Sequence, residues 1–97
     1  MPPFEEVVNA DFEWSKEKNE ILKRTRGISF EEVERHIRQD DLLAIEDYPN
    51  QVRYPGQVIF IVNINAYAHK VPAVPMETGY FLKTAYPNSK ANRDYLL

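Results

Sequence analysis

The run Val58-Ile59-Phe60-Ile61-Val62-Asn63-Ile64 decides the fold. Its β-branched and aromatic residues favour extended backbone, and it has the length of a strand rather than a helix. Apolar residues fall on both of its faces, so it is expected as a central strand covered by helix on at least one side. Just downstream, Asn65-Ala66 is expected as a hairpin turn and Tyr67 to Val74 as the return strand. Pro72 cannot donate to a ladder, so an edge or a bulge is expected at that point. Glu77-Thr78-Gly79 makes another turn. Tyr80 to Tyr86 then alternates, with Phe81, Lys83 and Ala85 on one face and Tyr80, Leu82, Thr84 and Tyr86 on the other. Pro87-Asn88 ends that strand, and Ser89 is expected to cap a final helix through about Tyr95. Upstream, Leu42 to Tyr48 reads as a strand ended by Pro49-Asn50, and Tyr54-Pro55-Gly56 is turn chemistry.

Before Asp40-Asp41 the period is helical. Ser29-Phe30-Glu31-Glu32 matches a capping box, with Ile28 and Val33 at the two positions of a hydrophobic staple. Phe30, Val33 and Ile37 define the buried face of that helix. An earlier helix starts at the N-cap Ser15, carries Trp14, Ile21 and Leu22 on one face and stops at Gly27. Lys23, Arg24 and Arg26 suit the negative end of its dipole. Phe12-Glu13-Trp14 is expected as a short lead-in strand. Residues 1–10, with two prolines and two acids, are expected as a flexible arm, and residues 11–97 as a single domain. The fold class is therefore α+β: two N-terminal helices packed on an antiparallel sheet of about four strands, with a short C-terminal helix.

Composition narrows the function classes. Of 97 residues, 43% are hydrophobic and 28% charged, ordinary for one globular domain. Cysteine is absent, which excludes a disulfide framework and a Cys-based metal site and leads us to expect the cytoplasm. No run approaches the ~20 apolar residues of a membrane span, and Met1 to Glu6 has no signal-peptide pattern. A net charge of −3 argues against broad, non-specific nucleic-acid binding but not against a local basic patch. The charge is uneven: Glu5, Glu6, Asp11 and Glu13 lie at one end, and Lys83, Lys90 and Arg93 at the other.

His36 and His69, with no acidic partner at metal-ligand spacing, read as structural or surface residues. Glu31, Glu32 and Glu34 read as a helix start and a solvated face. Neither a glycine-rich phosphate loop nor a G-x-S-x-G elbow occurs, so no cofactor is expected. Lys23-Arg24-Thr25-Arg26 is either dipole complement or a phosphate-contacting patch. The last strand and helix bring Lys83, Tyr86, Lys90 and Arg93 together with Tyr80 and Tyr95. Cations beside phenol rings can grip phosphates and stack on unpaired bases. Metal-free phosphodiester cleavage needs a base for the 2′-hydroxyl, a cation on the phosphorane and an acid for the leaving oxygen. The alternative is that these are surface charges and half-buried sheet tyrosines.

Phe12-Glu13-Trp14-Ser15 resembles the opening F-E-W-D of BrnT-type toxins, and Lys18 falls where that motif has a lysine. Gly27-Ile28-Ser29-Phe30-Glu31-Glu32-Val33 is similar to their G-I-S-F-E-E-A segment, and the resemblance covers roughly residues 12–95. It implies a compact RelE-like ribonuclease fold, toxin activity on RNA and a cognate antitoxin that covers the active surface. The departures are Thr25-Arg26 in place of a lysine-histidine pair, and Tyr86 where the last strand's S-A-R pattern has arginine. Tyrosine lacks the bidentate, permanently charged fork of arginine. Either Lys83, Lys90 and Arg93 supply the missing charge or the activity is lost. On this reading the chain is a divergent toxin of a bacterial type II toxin–antitoxin pair, a metal-independent endoribonuclease. The competing reading is an inactive toxin-fold binding module. The expected catalytic group is Lys83, Tyr86, Lys90 and Arg93. Lys18, Lys23, Arg24 and Arg26 are the expected RNA contacts.

Overall fold

A computed structural model describes residues 2–97. The chain runs α1 (Phe4–Val8), β1 (Asp11–Trp14), α2 (Lys16–Arg26), α3 (Phe30–Arg38), β2 (Leu42–Asp47), β3 (Val58–Ile64), β4 (Tyr67–Pro75), β5 (Gly79–Leu82), β6 (Tyr86–Pro87) and α4 (Ser89–Ala91). The last helix continues as a π-helical segment, Asn92–Leu96. The class is α+β, as expected. The sheet order is β1-β5-β4-β3-β2, with β6 also on β4. Strands β2 to β5 form the expected antiparallel meander, but β1 joins β5 in parallel. The sheet is therefore mixed, and larger than the expected four antiparallel strands. Gly79 makes the parallel contact possible, since a Cβ there would stand 1.8 Å from the Asp11 carbonyl oxygen.

The helix starts follow local chemistry. Ser15 Oγ accepts from Lys18 N, and Ser29 Oγ from Glu32 N, each at 3.1 Å. Gly27 closes α2 at φ 67° and donates to the Lys23 carbonyl. Buried Asn19 locks α2 to α3, accepting from Phe30 N and donating to Glu31 Oε1, both at 2.8 Å. Leu22, Phe30, Val33 and Ile37 then pack with Val58, Phe60, Val62 and Ile64 in one core. On the opposite sheet face, Ile59, Ile61 and Ala68 pack with Ala91 of α4. Strand β3 is thus covered on both sides, which is why its sequence does not alternate.

Two expectations are corrected here. Within the stretch read as a flexible arm, residues 4–8 form α1, and Val7 is fully buried. Arg38 holds this segment, donating to the Val8 carbonyl at 2.6 Å and the Ala10 carbonyl at 2.7 Å. That anchor lies far along the chain and is invisible to a local reading. The final helix is capped by Asn88 rather than Ser89: Asn88 Oδ1 accepts from Ala91 N at 2.9 Å. No helix of the described residues is long and apolar enough to cross a membrane.

Candidate nucleic-acid interface

The site begins with a proline. Pro72 lies inside β4, opposite Ile59 of β3, and its carbonyl accepts from Lys83 N at 2.9 Å. In an antiparallel ladder a residue's N–H and C=O point to the same neighbour, so the donor that Pro72 lacks would have faced Lys83. The Lys83 carbonyl loses its ladder partner and the strand leaves the sheet. Pairing resumes at Tyr86, opposite Lys70. The three-residue step from Lys83 to Tyr86 thus faces a two-residue step from Pro72 to Lys70, a one-residue bulge. The irregularity expected at Pro72 exists, but in the neighbouring chain segment, and β4 is an interior strand.

This bulge corrects the expected strand from Tyr80 to Tyr86. Regular alternation would put Lys83 and Tyr86 on opposite faces; the inserted residue puts them on the same one. Ala85, expected beside Lys83, instead turns into the helix-side core with Tyr80 and Leu82. Tyr86 shares its face with its cross-strand partner Lys70 and with Ile61 beyond it.

Lys83 is exposed, with its Nζ 5.5 Å from the Tyr54 ring centroid and 6.0 Å from that of Tyr48. The two rings meet edge to face at 5.3 Å, and the Arg53 guanidinium lies 5.5 Å from the Tyr54 ring. These contacts are cation–π in type. Among the described residues, no carboxylate lies within ion-pair distance of Lys83, Arg53 or Arg93. Aromatic faces orient the Lys83 ammonium without neutralising it, so its full charge is open to a phosphate.

On the same sheet face the C-terminal segment is tied down by Tyr95, whose hydroxyl donates to Glu46 Oε2 at 2.7 Å. That bond holds the Tyr95 proton above the usual phenol range. The other Glu46 oxygen lies 3.9 Å from Lys70 Nζ. Glu46 is a carboxylate on this face, and both of its oxygens are engaged.

The other expected site residues divide. Arg26 reaches the bulge from α2, donating to the Ala85 carbonyl at 3.0 Å and standing 3.4 Å from Thr84 Oγ1. Lys90, expected to grip one phosphate together with Arg93, is bonded to Asp94 at 2.6 Å. Arg93 is exposed on the π-helical segment. Lys23 pairs with Glu20 at 3.4 Å, and Arg24 is exposed beside it on α2. Lys18 lies in the first turn of α2, half-buried. Of this basic group only Arg26 is hydrogen-bonded to the last strand region.

His36 has an acidic partner after all. Its Nδ1 stands 2.8 Å from Asp41 Oδ2, which positive-φ backbone at Asp40 (φ 71°) brings back onto the helix end. His69 is buried, donates from Nδ1 to the Tyr67 carbonyl at 2.8 Å and is held below the usual histidine range, chiefly by burial. Both histidines read as structural. Tyr48, Arg53, Tyr54 and Lys70 were not singled out from the sequence. Tyr54 was visible there only as turn chemistry, and nothing local joins it to Lys83.

No family model matches the chain, and neither the search of curated proteins nor that of solved structures finds a match.

Proposed function

We propose that the protein is the toxin of a bacterial type II toxin–antitoxin pair and acts on single-stranded RNA as a metal-independent endoribonuclease. The observation that carries this reading is the Lys83 ammonium, held over Tyr48 and Tyr54 on the face that the bulge gives to Tyr86. In this mechanism Lys83 steadies the phosphate and the charge that develops on the phosphorane. Tyr86, on the same face, is the acid that protonates the leaving 5′-oxygen, and the 2′-hydroxyl gives its proton to solvent water as it attacks the phosphorus. The half-buried Tyr54 ring keeps the Lys83 and Arg53 cations together on this surface. The resemblance of residues 12–33 to BrnT-type toxins supports the assignment and supplies the antitoxin as partner.

One observation favours the second reading, a toxin-fold module that binds without cutting. Lys90, Arg26 and Glu46 are each already engaged within the protein. A single experiment separates the two. Induction in a bacterial host, with RNA cleavage assayed in EDTA, should give growth arrest and cut RNA for the wild type and neither for Lys83→Ala. Wild-type protein that binds RNA without cutting it supports the module. Wild-type protein with neither effect removes the RNA reading.

A further inference from the structure

Antiparallel neighbours can be joined by a two-residue turn, yet residues 48–57 intervene between β2 and β3. This loop is bonded from within. Gln51 Nε2 donates to the Tyr48 carbonyl at 2.7 Å and to the Gln57 carbonyl at 3.0 Å, and Gln51 Oε1 accepts from Gly56 N at 3.0 Å. Asn50 Oδ1 accepts from Arg53 N, and the Asn50 carbonyl from Tyr54 N, both at 3.0 Å. These bonds fix the backbone that carries Arg53 and Tyr54.

The loop brings a second cation to Lys83. The Arg53 guanidinium and the Lys83 ammonium each lie 5.5 Å from the Tyr54 ring centroid, so at most twice that distance separates them. The ring attracts each cation but has no net charge to cancel them, and like charges at this range repel. Acids outnumber bases 15 to 12 in the chain, and Lys23, Arg38, Lys70 and Lys90 each have a carboxylate within ion-pair distance. Among the described residues, Arg53 and Lys83 have none. Two neighbouring cations held on one ring without an acid call for an anion from outside.

We propose that Lys83 and Arg53 form a clamp for two linked phosphates, with Tyr54 setting their spacing. Lys83 takes one phosphate as a point charge, and the exposed Arg53 fork takes the next through paired N–H donors. A ligand with a single phosphate fills only half of the clamp. The inference rests on the reading of the Lys83 face as a phosphate site and adds the length of ligand that the face selects. Two sources present such a ligand: adjacent phosphates of an RNA strand, or a free polyphosphate.

The test titrates the full 15N-labelled chain and reads the amide shifts of Arg53, Tyr54 and Lys83. The probes are 2′-O-methylated oligonucleotides with one, two or three phosphates, which lack the attacking hydroxyl, and inorganic orthophosphate and tripolyphosphate. Wild-type affinity should rise about tenfold from one phosphate to two, the scale of one hydrogen bond between charged groups, and change little at the third. The exposed variant Arg53→Gln should bind the one-phosphate ligand like the wild type and lose the gain at the second. Arg53→Lys, which keeps the charge but not the fork, should retain part of that gain. Tighter binding of the oligonucleotides identifies an RNA strand. Tripolyphosphate bound with no oligonucleotide binding keeps the clamp and removes the RNA reading. A wild type that gains nothing at the second phosphate, or a gain that survives Arg53→Gln, overturns the clamp and leaves Lys83 as a one-phosphate site. Binding of none of the probes overturns both.

Discussion

Pro72 accepts a hydrogen bond from Lys83 and has no N–H to return. From that one-sided bond follow the bulge, the break between β5 and β6 and the common face of Lys83 and Tyr86. If the two side chains serve one RNA site, Lys83→Ala and Tyr86→Phe should both lower single-turnover cleavage, and their effects should be non-additive. Removing a transition-state cation typically lowers the rate by ~10²–10³. A Tyr86→Phe variant with wild-type cleavage would remove Tyr86 from the chemistry and leave Lys83 alone.

The β3–β4 hairpin carries a correctable strain. Asn65 and Ala66 form its two-residue turn with φ of 53° and 67°. This is the geometry of a type I′ turn, which asparagine accepts and alanine does not. Ala66→Gly should raise stability by ~1 kcal/mol, measured as a higher urea midpoint at unchanged slope.

Two glycines should respond differently to alanine. At Gly27, φ is 67° but an added Cβ meets nothing within 4 Å, so Gly27→Ala should cost only the ~1–2 kcal/mol of left-handed backbone. At Gly79 the added Cβ would collide with the Asp11 backbone, and β1 must leave β5. Gly79→Ala should therefore cost ~3 kcal/mol or more. Thermal melts of both variants check the contrast, and equal losses would mean that the β1–β5 pairing contributes little.

Local chemistry was legible in the sequence wherever a residue acts on near neighbours. Ser15, Ser29 and Gly27 mark helix ends through bonds to residues three or four positions away, and Val58 to Ile64 declares its two-sided burial by composition. What was not legible depends on distant partners. Arg38 docks α1 through carbonyls some thirty positions back. Gly79 admits β1, and Tyr48 and Tyr54 meet Lys83 only because β2, β3 and β4 set them side by side. Lys83 and Tyr86 stand out in the sequence by residue type and by their place at the end of the last strand. Their common face does not, because period-2 alternation fails at a bulge that begins across the strand from Pro72.

His69 makes stability depend on pH. Its folded-state affinity for a proton lies below that of an ordinary histidine (6.5), chiefly through burial, with His36 adding to the effect. Below 6.5 the unfolded chain takes up the proton first, so His69 contributes stability that is present above 6.5 and lost as the pH falls toward its folded value. The slope for one proton is at most about 1.4 kcal/mol per pH unit. Urea midpoints between pH 7.5 and 5 should fall less steeply in His69→Gln than in the wild type. Parallel curves would show that His69 is not the titrating group.

The central claim is that Lys83 presents an uncompensated charge to RNA phosphate, and the salt dependence of RNA affinity tests it most directly. Anisotropy titrations of a labelled single-stranded RNA should be run over a series of salt concentrations for the wild type and for Lys83→Ala. The wild type should bind with affinity that falls as salt rises, and in Lys83→Ala the log–log slope should shrink by about 0.7, the share of one phosphate contact on a single strand. Equal affinities and equal slopes for the two proteins, or no RNA binding by the wild type, would contradict it.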